Sequence, residues 1–213
     1  MKNYNQKDTT IKRLHYFSGI TITMFISFHL LNHSFSIFGA DKHIEVMNYL
    51  RIFYRNTFAE IILLSAVLIQ IASGIKLFIN KRKIATTFFD KLQIWTGLYL
   101  AVFLAIHLTA IFSGRILLQL DTNFYFGVAG LNTFPYSLFF APYYGLAIVS
   151  FFGHLAAVHN SKMNRTIFGM TPKNQAFAIL AFGLISTLVI FYGLTNHFNG
   201  VKIPGEYNAL IGR

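Results

Sequence analysis

The stretch TFAEIILLSAVLIQIASGIKLFI, residues 57–79, decides the fold of this chain. Glu60 and Lys76 are its only charged residues, and each lies near one end. A helix of this length rises roughly 34 Å, which is enough to cross a hydrocarbon core of roughly 30 Å. Lipid offers no water to an open backbone, so this stretch predicts a transmembrane helix, which bonds its own backbone groups.

Four further stretches have the same apolar character, and short polar connections separate them. They cover residues of about 15–38, 92–113, 137–159 and 175–197. We therefore predict an all-α integral membrane bundle of five transmembrane helices, forming a single domain over residues 1–213. The connection at about 114–136 is the longest, and we expect it to fold over one membrane face.

The composition excludes several other classes of protein. Of the 213 residues, 54% are hydrophobic and 12% are charged, and the charged fraction is about half that of a soluble domain. There is no cysteine, which excludes disulfides, iron–sulfur clusters, thiolate–zinc sites and covalent c-type haem. The net charge of +11 comes from basic clusters between apolar stretches, a pattern of membrane topology rather than of nucleic-acid binding.

The distribution of Lys and Arg predicts the orientation. With the N-terminus inside, eleven of these residues are cytoplasmic: Lys2, Lys7, Lys12, Arg13, Lys81, Arg82, Lys83, Lys91, Lys162, Arg165 and Lys173. The other side holds six: Lys42, Arg51, Arg55, Arg115, Lys202 and Arg213. The excess predicts an N-in/C-out orientation. We expect a multi-pass protein of a bacterial-type inner (cytoplasmic) membrane.

Two histidines lie at matched depth on helices that run in the same direction. His29 follows the anchor Arg13 by sixteen residues, and His107 follows the anchor Lys91 by sixteen residues. Each therefore lies roughly 24 Å from the inner face, in the outer half of the bilayer. Ionisable groups within a membrane usually serve a function, and two neutral imidazoles can ligate one haem iron from opposite sides. We predict that His29 and His107 bind a b-type haem.

The other histidines have more than one interpretation. His154 precedes the anchor Lys162 by eight residues, so it lies roughly 12 Å from the inner face, at the level of Gln70. His33 lies one turn beyond His29 on the same helix face, where interfacial hydrogen bonding is the favoured alternative to ligation. Any single histidine in an apolar helix can also be a hydrogen-bonded packing residue. We expect His159 and His197 to lie at helix ends and His43 to lie in a loop.

Several short motifs follow the pattern of a known family. The first predicted helix contains Arg13-Leu14-His15, Ser18-Gly19 and Phe28-His29-Leu30. The second contains Glu60-Ile61 and Gly74, and the third contains Leu92-Gln93, Thr96-Gly97 and His107. The fourth and the loop after it contain His154, Thr171-Pro172 and Gln175. In these residues the chain resembles the cytochrome b membrane-anchor subunit of succinate dehydrogenases and fumarate reductases, in its single-chain, five-helix form.

The resemblance implies a particular set of haem ligands. Two-haem members of the family use one histidine on each of the first four helices, and His29 with His107 would serve the haem near the outer side. The inner haem would take His154 and a residue of the second helix, where this chain has Gln70. This departure implies one haem rather than two, or an unusual ligand such as His33 for a second.

The resemblance also implies quinone sites near the helix ends, where polar groups bind quinone carbonyls. Five residues match by position, three at the inner end and two at the outer: His15, Tyr16, Ser18, Arg115 and His33. Binding of haem propionates, or anchoring at the interface, is the alternative for each.

By this resemblance, the chain is a haem b-containing anchor that passes electrons between a quinone and a succinate dehydrogenase or fumarate reductase. It has no nucleotide-binding glycine motif and no cysteine. Flavoprotein and iron–sulfur subunits would therefore have to dock at the basic cytoplasmic face. We expect the chain itself to be a non-catalytic electron-transfer subunit, with catalysis limited to a share in a quinone site.

Two alternatives stay open at this point. The missing inner ligand is compatible with an orphan member of the same fold that has another quinone or redox role. A haem-free transporter or metal-binding membrane protein would use four histidines as a polar cluster: His29, His33, His107 and His154. The depths argue against one compact metal site, because His154 lies roughly 12 Å below the others.

Overall fold

The computed structural model describes the backbone of residues 2–213 and the side chains of residues 9–213. Met1 and the side chains of residues 2–8, among them Lys2 and Lys7 of the charge count, lie outside this description. Within it the chain is helical, with no strand beyond an isolated bridge between Ile167 and Met170. The α-helices are α1 Lys2–Ser34, α2 Ala40–Tyr54, α3 Thr57–Lys81, α4 Phe88–Phe112, α5 Phe124–Val128, α6 Ser137–Lys162 and α7 Pro172–Leu194. Three further turns are a 3-10 turn at Phe35–Phe38, a π turn at Ser113–Leu117 and a 3-10 turn at Gly205–Ile211.

Five segments are long and apolar enough to cross a membrane, which confirms the all-α class and the number of spans over the described residues. They are Thr9–Phe38, Thr57–Lys81, Phe88–Leu117, Ser137–Lys162 and Pro172–Leu194. The first four extend beyond the predicted bounds, because helical backbone continues into polar sequence at the membrane surface. The fifth ends at Leu194 instead of 197, because residues 196–198 have positive φ angles of 49°, 58° and 64°.

Hydrogen bonds from N-terminal capping residues explain where two of the spans begin. α4 begins at Phe88 because Thr87 and Asp90 form a capping box, with hydrogen bonds of 3.1 and 3.2 Å. α7 begins at Pro172 because the hydroxyl of Thr171 accepts a hydrogen bond from the next turn, and proline suits a first helical position. Both helices therefore start three to four residues before the predicted bounds of 175 and 92.

The outward faces of the spans carry large apolar side chains. Phe17, Leu68, Trp95 and Leu188 lie on four different spans and are each at least 60% exposed. Apolar area exposed on this scale is unusual for a soluble monomer, and lipid removes it from water. The outward faces therefore indicate a multi-pass membrane protein.

The five spans pack around two interior spaces. α3 packs between α1 and α4, and α6 packs between α4 and α7. α7 also packs against α1 and against the Phe35–Phe38 turn. In the described part of the chain, α1 and α6 make few contacts with each other, although both line the interior.

A structured cap covers one end of the bundle. The cap consists of α2, α5 and the Gly205–Ile211 turn. Phe124 of α5 is 3% exposed and belongs to one apolar cluster with Ile190 of α7. Tyr207 is 1% exposed, and its hydroxyl donates a hydrogen bond to the carbonyl oxygen of Asp121 at 3.1 Å. Residues 114–136, which we expected to fold over one face, contribute α5 to the cap.

One prediction about a residue of the cap is wrong. We expected His43 in a loop, but it lies on α2 and is 2% exposed. Met47 follows one turn later on the same helix face and is also buried, whereas Asp41 and Glu45 are exposed on other faces. A short helix that buries only one narrow stripe has no long apolar run, so hydropathy alone does not reveal it.

Two glycines shape the connection from α1 into the cap. A Cβ atom at Gly193 of α7 would lie 2.6 Å from the backbone nitrogen of Ile37 and would also collide with Ser36. Gly39 has φ of 100° and ψ of 170°, a conformation that side chains strongly disfavour. Glycine at these positions therefore lets α7 press against the turn and lets the chain enter α2.

At the opposite end, Gln175 holds the loop between α6 and α7. Its amide nitrogen donates to the carbonyl oxygens of Arg165 and Met170 at 3.0 and 2.8 Å. Its amide oxygen lies 2.8 Å from Nε2 of His159. Gln175 is 7% exposed, so these hydrogen bonds form largely away from water.

Gln175→Leu leaves two carbonyl groups and one imidazole without this partner, each at a cost of about 1–3 kcal/mol. We expect residues 163–171 to open, so that limited trypsin digestion in detergent cuts after Arg165 at least about tenfold faster. Asn174→Leu, at the exposed neighbouring position, should leave the rate unchanged. Equal rates in the wild type and Gln175→Leu would contradict this role.

Candidate functional site

Two cavities lie inside the bundle, and both are lined by α1, α3, α4 and α6. Cavity A, of about 290 Å³, lies under the cap, and His29 and His107 are among its lining residues. Cavity B, of about 490 Å³, lies toward the opposite end, and Gln70 and His154 are among its lining residues. These sizes are comparable with those of small-molecule and cofactor sites. The predicted ligands therefore lie in two separate places.

His29 and His107 come together in cavity A. Their ring centroids are 6.3 Å apart, and their planes make an angle of 66°. Phe25 stacks on His29 and Phe103 stacks on His107, at centroid distances of 5.8 and 5.2 Å, which restricts both imidazoles. His107 has no hydrogen-bond partner among the described residues. An unpaired imidazole within a membrane is costly, and a ligand in cavity A would satisfy it.

A chain of imidazoles links cavity A to the cap. Nε2 of His29 lies 3.1 Å from Nε2 of His33, and Nδ1 of His33 lies 3.2 Å from Nε2 of His43. The amide nitrogen of Asn32 also lies 3.2 Å from Nε2 of His43. His33 therefore bridges the membrane-embedded His29 and the buried cap residue His43.

Burial lowers the pKa of His43 from its ordinary value of 6.5 to about 4, and the neighbouring His29 and Arg51 act in the same direction. His43 is therefore neutral at physiological pH. A neutral imidazole has one donor and one acceptor nitrogen, so it can continue the chain that begins at His29.

Protonation of His43 should oppose folding in acid. The unfolded chain takes up a proton on this residue below pH 6.5, whereas the folded protein does so only near pH 4. Above pH 6.5 His43 therefore does not lower the free energy of unfolding. As the pH falls from 6.5 toward 4, that free energy decreases. The difference corresponds to about 3 kcal/mol, and equilibrium unfolding in denaturing detergent as a function of pH measures it.

The variant His43→Gln should lose less stability in acid than the wild type, by up to about 3 kcal/mol. Asn48→Gln is the control, because Asn48 is exposed on the same helix and has no titratable group, so its replacement should leave the pH dependence unchanged. Identical pH profiles for His43→Gln and the wild type would rule out the lowered pKa.

Arginines and carboxylates surround the cap side of cavity A. Arg51 and Arg55 approach Asp121, at 2.9 and 4.0 Å. Arg115 donates a hydrogen bond to Glu60 at 2.6 Å. Burial and the neighbouring cations lower the pKa of Arg55 from its ordinary value, although the guanidinium remains charged. Three guanidinium groups and two carboxylates give this rim an excess of positive charge.

In cavity B, Gln70 is bonded to α1. The hydroxyl of Ser18 lies 2.7 Å from Oε1 of Gln70, and Nε2 of Gln70 lies 3.2 Å from Nε2 of His15. Nδ1 of His15 lies 2.8 Å from the hydroxyl of Ser73. Gly19 makes room for this network, because a Cβ atom there would lie 3.3 Å from Nε2 of Gln70. Both nitrogens of His15 are therefore engaged.

His154 faces cavity B with one free nitrogen. Its Nδ1 lies 3.0 Å from the carbonyl oxygen of Gln93, which can only accept, so Nδ1 donates and Nε2 keeps its lone pair. In the described part of the chain, nothing bonds to this Nε2. Gly97 lies beside the ring, since a Cβ atom there would be 3.1 Å from Cε1 of His154.

The candidate residues divide between the cavities. Those that line cavity A are His29, His33, His107 and Arg115. Those that line cavity B are His15, Tyr16 and His154, with Ser18 bonded to the cavity residue Gln70. Tyr16 is 56% exposed, at the edge of cavity B. His154 does not join the other three histidines, so the four do not form one polar cluster.

The residues of cavity A that were not among the candidates include His43, Arg51 and Arg55. Together with Met47 they recur at intervals of four residues. This interval places them on one face of a helix, and it is the sequence signal that would have grouped them.

A scan against protein-family models, a search of curated proteins and a search of solved structures found no match to this chain. The fold and the site nevertheless define a class. The chain is an all-helical protein with five membrane-length helices and two interior cavities that contain histidines.

Proposed function

We propose that the chain is a membrane electron carrier that binds one b-type haem in cavity A through His29 and His107. In this role it exchanges electrons between a membrane quinone and a partner redox protein. The resemblance to cytochrome b anchor subunits supports the proposal. It also supplies the partner, the flavoprotein and iron–sulfur subunits of a succinate dehydrogenase or fumarate reductase type of enzyme.

The placement of His29 and His107 carries the proposal. A metal–imidazole bond is about 2 Å long, so two rings on opposite sides of one metal ion have centroids roughly 6 Å apart. The two rings belong to different helices and are 6.3 Å apart. His107 also has no competing hydrogen bond to any described residue. Nε2 of His29 lies 3.1 Å from Nε2 of His33 and would exchange this contact for the iron. With that exchange, the donor set fits a haem with two histidine ligands.

The surrounding residues orient the ligands and exclude water. When bound, a haem with two imidazole ligands has no open coordination position and supplies one-electron transfer rather than oxygen binding. Phe25 and Phe103 hold the two imidazoles by stacking. At the cap side, Arg51, Arg55 and Arg115 provide donors suited to anionic propionates. The apolar side chains of α3 and α4 that line cavity A exclude water from it.

Charge supports an orientation with the cap outside. Eleven Lys and Arg residues flank the end opposite the cap, against six at the cap end. This excess favours N-in/C-out insertion in a bacterial-type inner membrane. Cavity A then lies in the outer half, and the basic segments at 81–83 and 162–173 face the cytoplasm, where an acidic partner surface can dock.

A dithionite-reduced-minus-oxidised spectrum of the purified protein, with haem quantified per chain, tests the proposal. We expect a low-spin b-type signal and about one haem per chain. Absence of haem from protein made in haem-replete cells would overturn it. Purification from native membranes in mild detergent tests the partner: co-purifying flavin supports an anchor subunit, whereas its absence favours a stand-alone carrier.

One observation favours a second candidate, a haem-free transporter. Nε2 of His29 lies 3.1 Å from Nε2 of His33, so this nitrogen is engaged in the chain that leads to His43. The three imidazoles would then link cavity A to the cap for proton movement. His33→Ala distinguishes the candidates, because it releases His29 and should leave haem content unchanged, whereas a haem-free transporter contains no haem in either protein.

A further inference from the structure

We propose that cavity B binds the head group of a membrane quinol, with one ring hydroxyl donating a hydrogen bond to Nε2 of His154. This site deepens the proposed function, on which it rests for the choice of a quinol. Cavity B is the larger of the two spaces described, at about 490 Å³ against about 290 Å³.

Two unpaired polar groups determine what cavity B can recognise. Nε2 of His154 is an acceptor, because Nδ1 donates to the carbonyl oxygen of Gln93. Gln93 lines the same cavity, and its side-chain amide has no hydrogen-bond partner among the described residues, so it can offer a donor. A hydroxyl group donates one hydrogen bond and accepts others, and it can therefore satisfy both groups. A quinone carbonyl cannot donate to Nε2, so the site favours the reduced quinol.

The rest of cavity B suits a flat, apolar ring. Ile94, Leu104 and Phe151 contribute apolar walls, and Gly97 makes room for the imidazole of His154 at the edge of the cavity. Apolar walls with a few well-placed polar groups are the usual composition of a small-molecule site. A substituted aromatic ring with a hydroxyl group fits both features.

The lining of cavity B and the few contacts between α1 and α6 point to an opening toward lipid between these two helices. Both helices line the cavity, but they make few contacts with each other in the part of the chain that the structure describes. Tyr16, Ile20 and Met24 of α1 border it and are 56%, 51% and 64% exposed, so they form one edge of the opening. A membrane-soluble molecule can enter there without crossing water, and its apolar tail can remain in lipid.

The other polar residues of cavity B are not available as haem ligands. Gln70 is engaged by Ser18 and His15, at 2.7 and 3.2 Å, and Nδ1 of His15 lies 2.8 Å from Ser73. Among the described residues, cavity B therefore presents one free imidazole nitrogen, whereas a haem with two histidine ligands needs two. Cavity A differs because it brings the imidazoles of His29 and His107 together, with ring centroids 6.3 Å apart. The single free nitrogen in cavity B favours a hydroxyl ligand instead.

Calorimetric titration of the purified protein in lipid nanodiscs, under anaerobic conditions, tests the site. The probes are a short-tail hydroquinone and its dimethyl ether, which cannot donate a hydrogen bond. We expect the wild type to bind the hydroquinone at least about tenfold more tightly than the ether. His154→Phe should lose about tenfold in hydroquinone affinity and should no longer distinguish the probes. Ala101→Leu, which fills cavity B and keeps His154, should weaken both probes.

His197→Phe is the matched control, because His197 is exposed, lines neither cavity and should leave hydroquinone binding unchanged. A monodisperse elution profile in each variant, and the haem spectrum in the two cavity B variants, report that the bundle has folded. Unchanged hydroquinone affinity in both cavity B variants would overturn the site. Two haems per wild-type chain and one in His154→Phe would also overturn it, by making His154 a haem ligand. Wild-type protein that lacks haem but binds hydroquinone through His154 would overturn the proposed function and retain the site.

Discussion

His107→Ala is expected to abolish the haem spectrum, leaving less than about one-tenth of the wild-type reduced-minus-oxidised amplitude. The ring of His107 borders cavity A, stacks on Phe103 at 5.2 Å and has no hydrogen bond to any described residue. Its removal therefore takes away a proposed ligand without breaking a polar contact that holds the bundle together. The absorption difference spectrum and the haem content per chain measure the effect.

Gln70→Ala and His154→Ala are matched controls for this experiment, because both residues lie in cavity B. Each should retain the wild-type spectrum, with about one haem per chain. Loss of haem in Gln70→Ala alone would show that the pairing of His29 with His107 is wrong. Full retention of haem in His107→Ala would show the same.

Gly193→Ala is expected to lower the free energy of unfolding by about 3 kcal/mol. The added Cβ atom would lie 2.6 Å from the backbone nitrogen of Ile37 and would collide with Ser36. Backbone cannot rotate away as the end of a side chain can, so α7 and the Phe35–Phe38 turn must separate. Equilibrium unfolding in denaturing detergent measures the loss, and faster proteolysis of the connection into α2 should accompany it.

Gly145→Ala provides the matched control within the bundle. A Cβ atom at Gly145 would lie 3.6 Å from Cζ of Phe191, which is an ordinary van der Waals contact. We expect no loss of stability, because the added methyl group meets no clash and alanine stabilises a helix interior by up to about 1 kcal/mol relative to glycine. Equal free energies of unfolding for Gly145→Ala and Gly193→Ala would show that the close approach of α7 to the Phe35–Phe38 turn does not require glycine at position 193.

The number of spans could be predicted from sequence because length and apolar character alone specify it. The depth of each residue in the membrane could also be predicted, since a helix rises by a constant amount per residue. Counting from Arg13 and Lys91 gives one level for His29 and His107, and their rings lie 6.3 Å apart. The role of these residues as haem ligands stays a prediction.

The rotation of each helix about its axis could not be predicted. Gln70 and His154 share a depth and line the same cavity, yet Gln70 bonds to His15 and Ser18 of α1. Contacts between residues more than fifty positions apart depend on how whole helices pack, and periodicity along one helix does not define this. The same limit applies to His43, whose burial depends on α2 folding back over the bundle.

The cap has a consequence for the biogenesis of the protein. Tyr207, near the end of the sequence, helps complete the cap through its hydrogen bond to Asp121, whereas His29 and His107 lie on α1 and α4. Synthesis proceeds from the N-terminus, so both imidazoles leave the ribosome well before the residues that close the space above them. Under the proposed function, the haem could thus enter the nascent bundle before the cap is complete, and the completed cap would then slow its release.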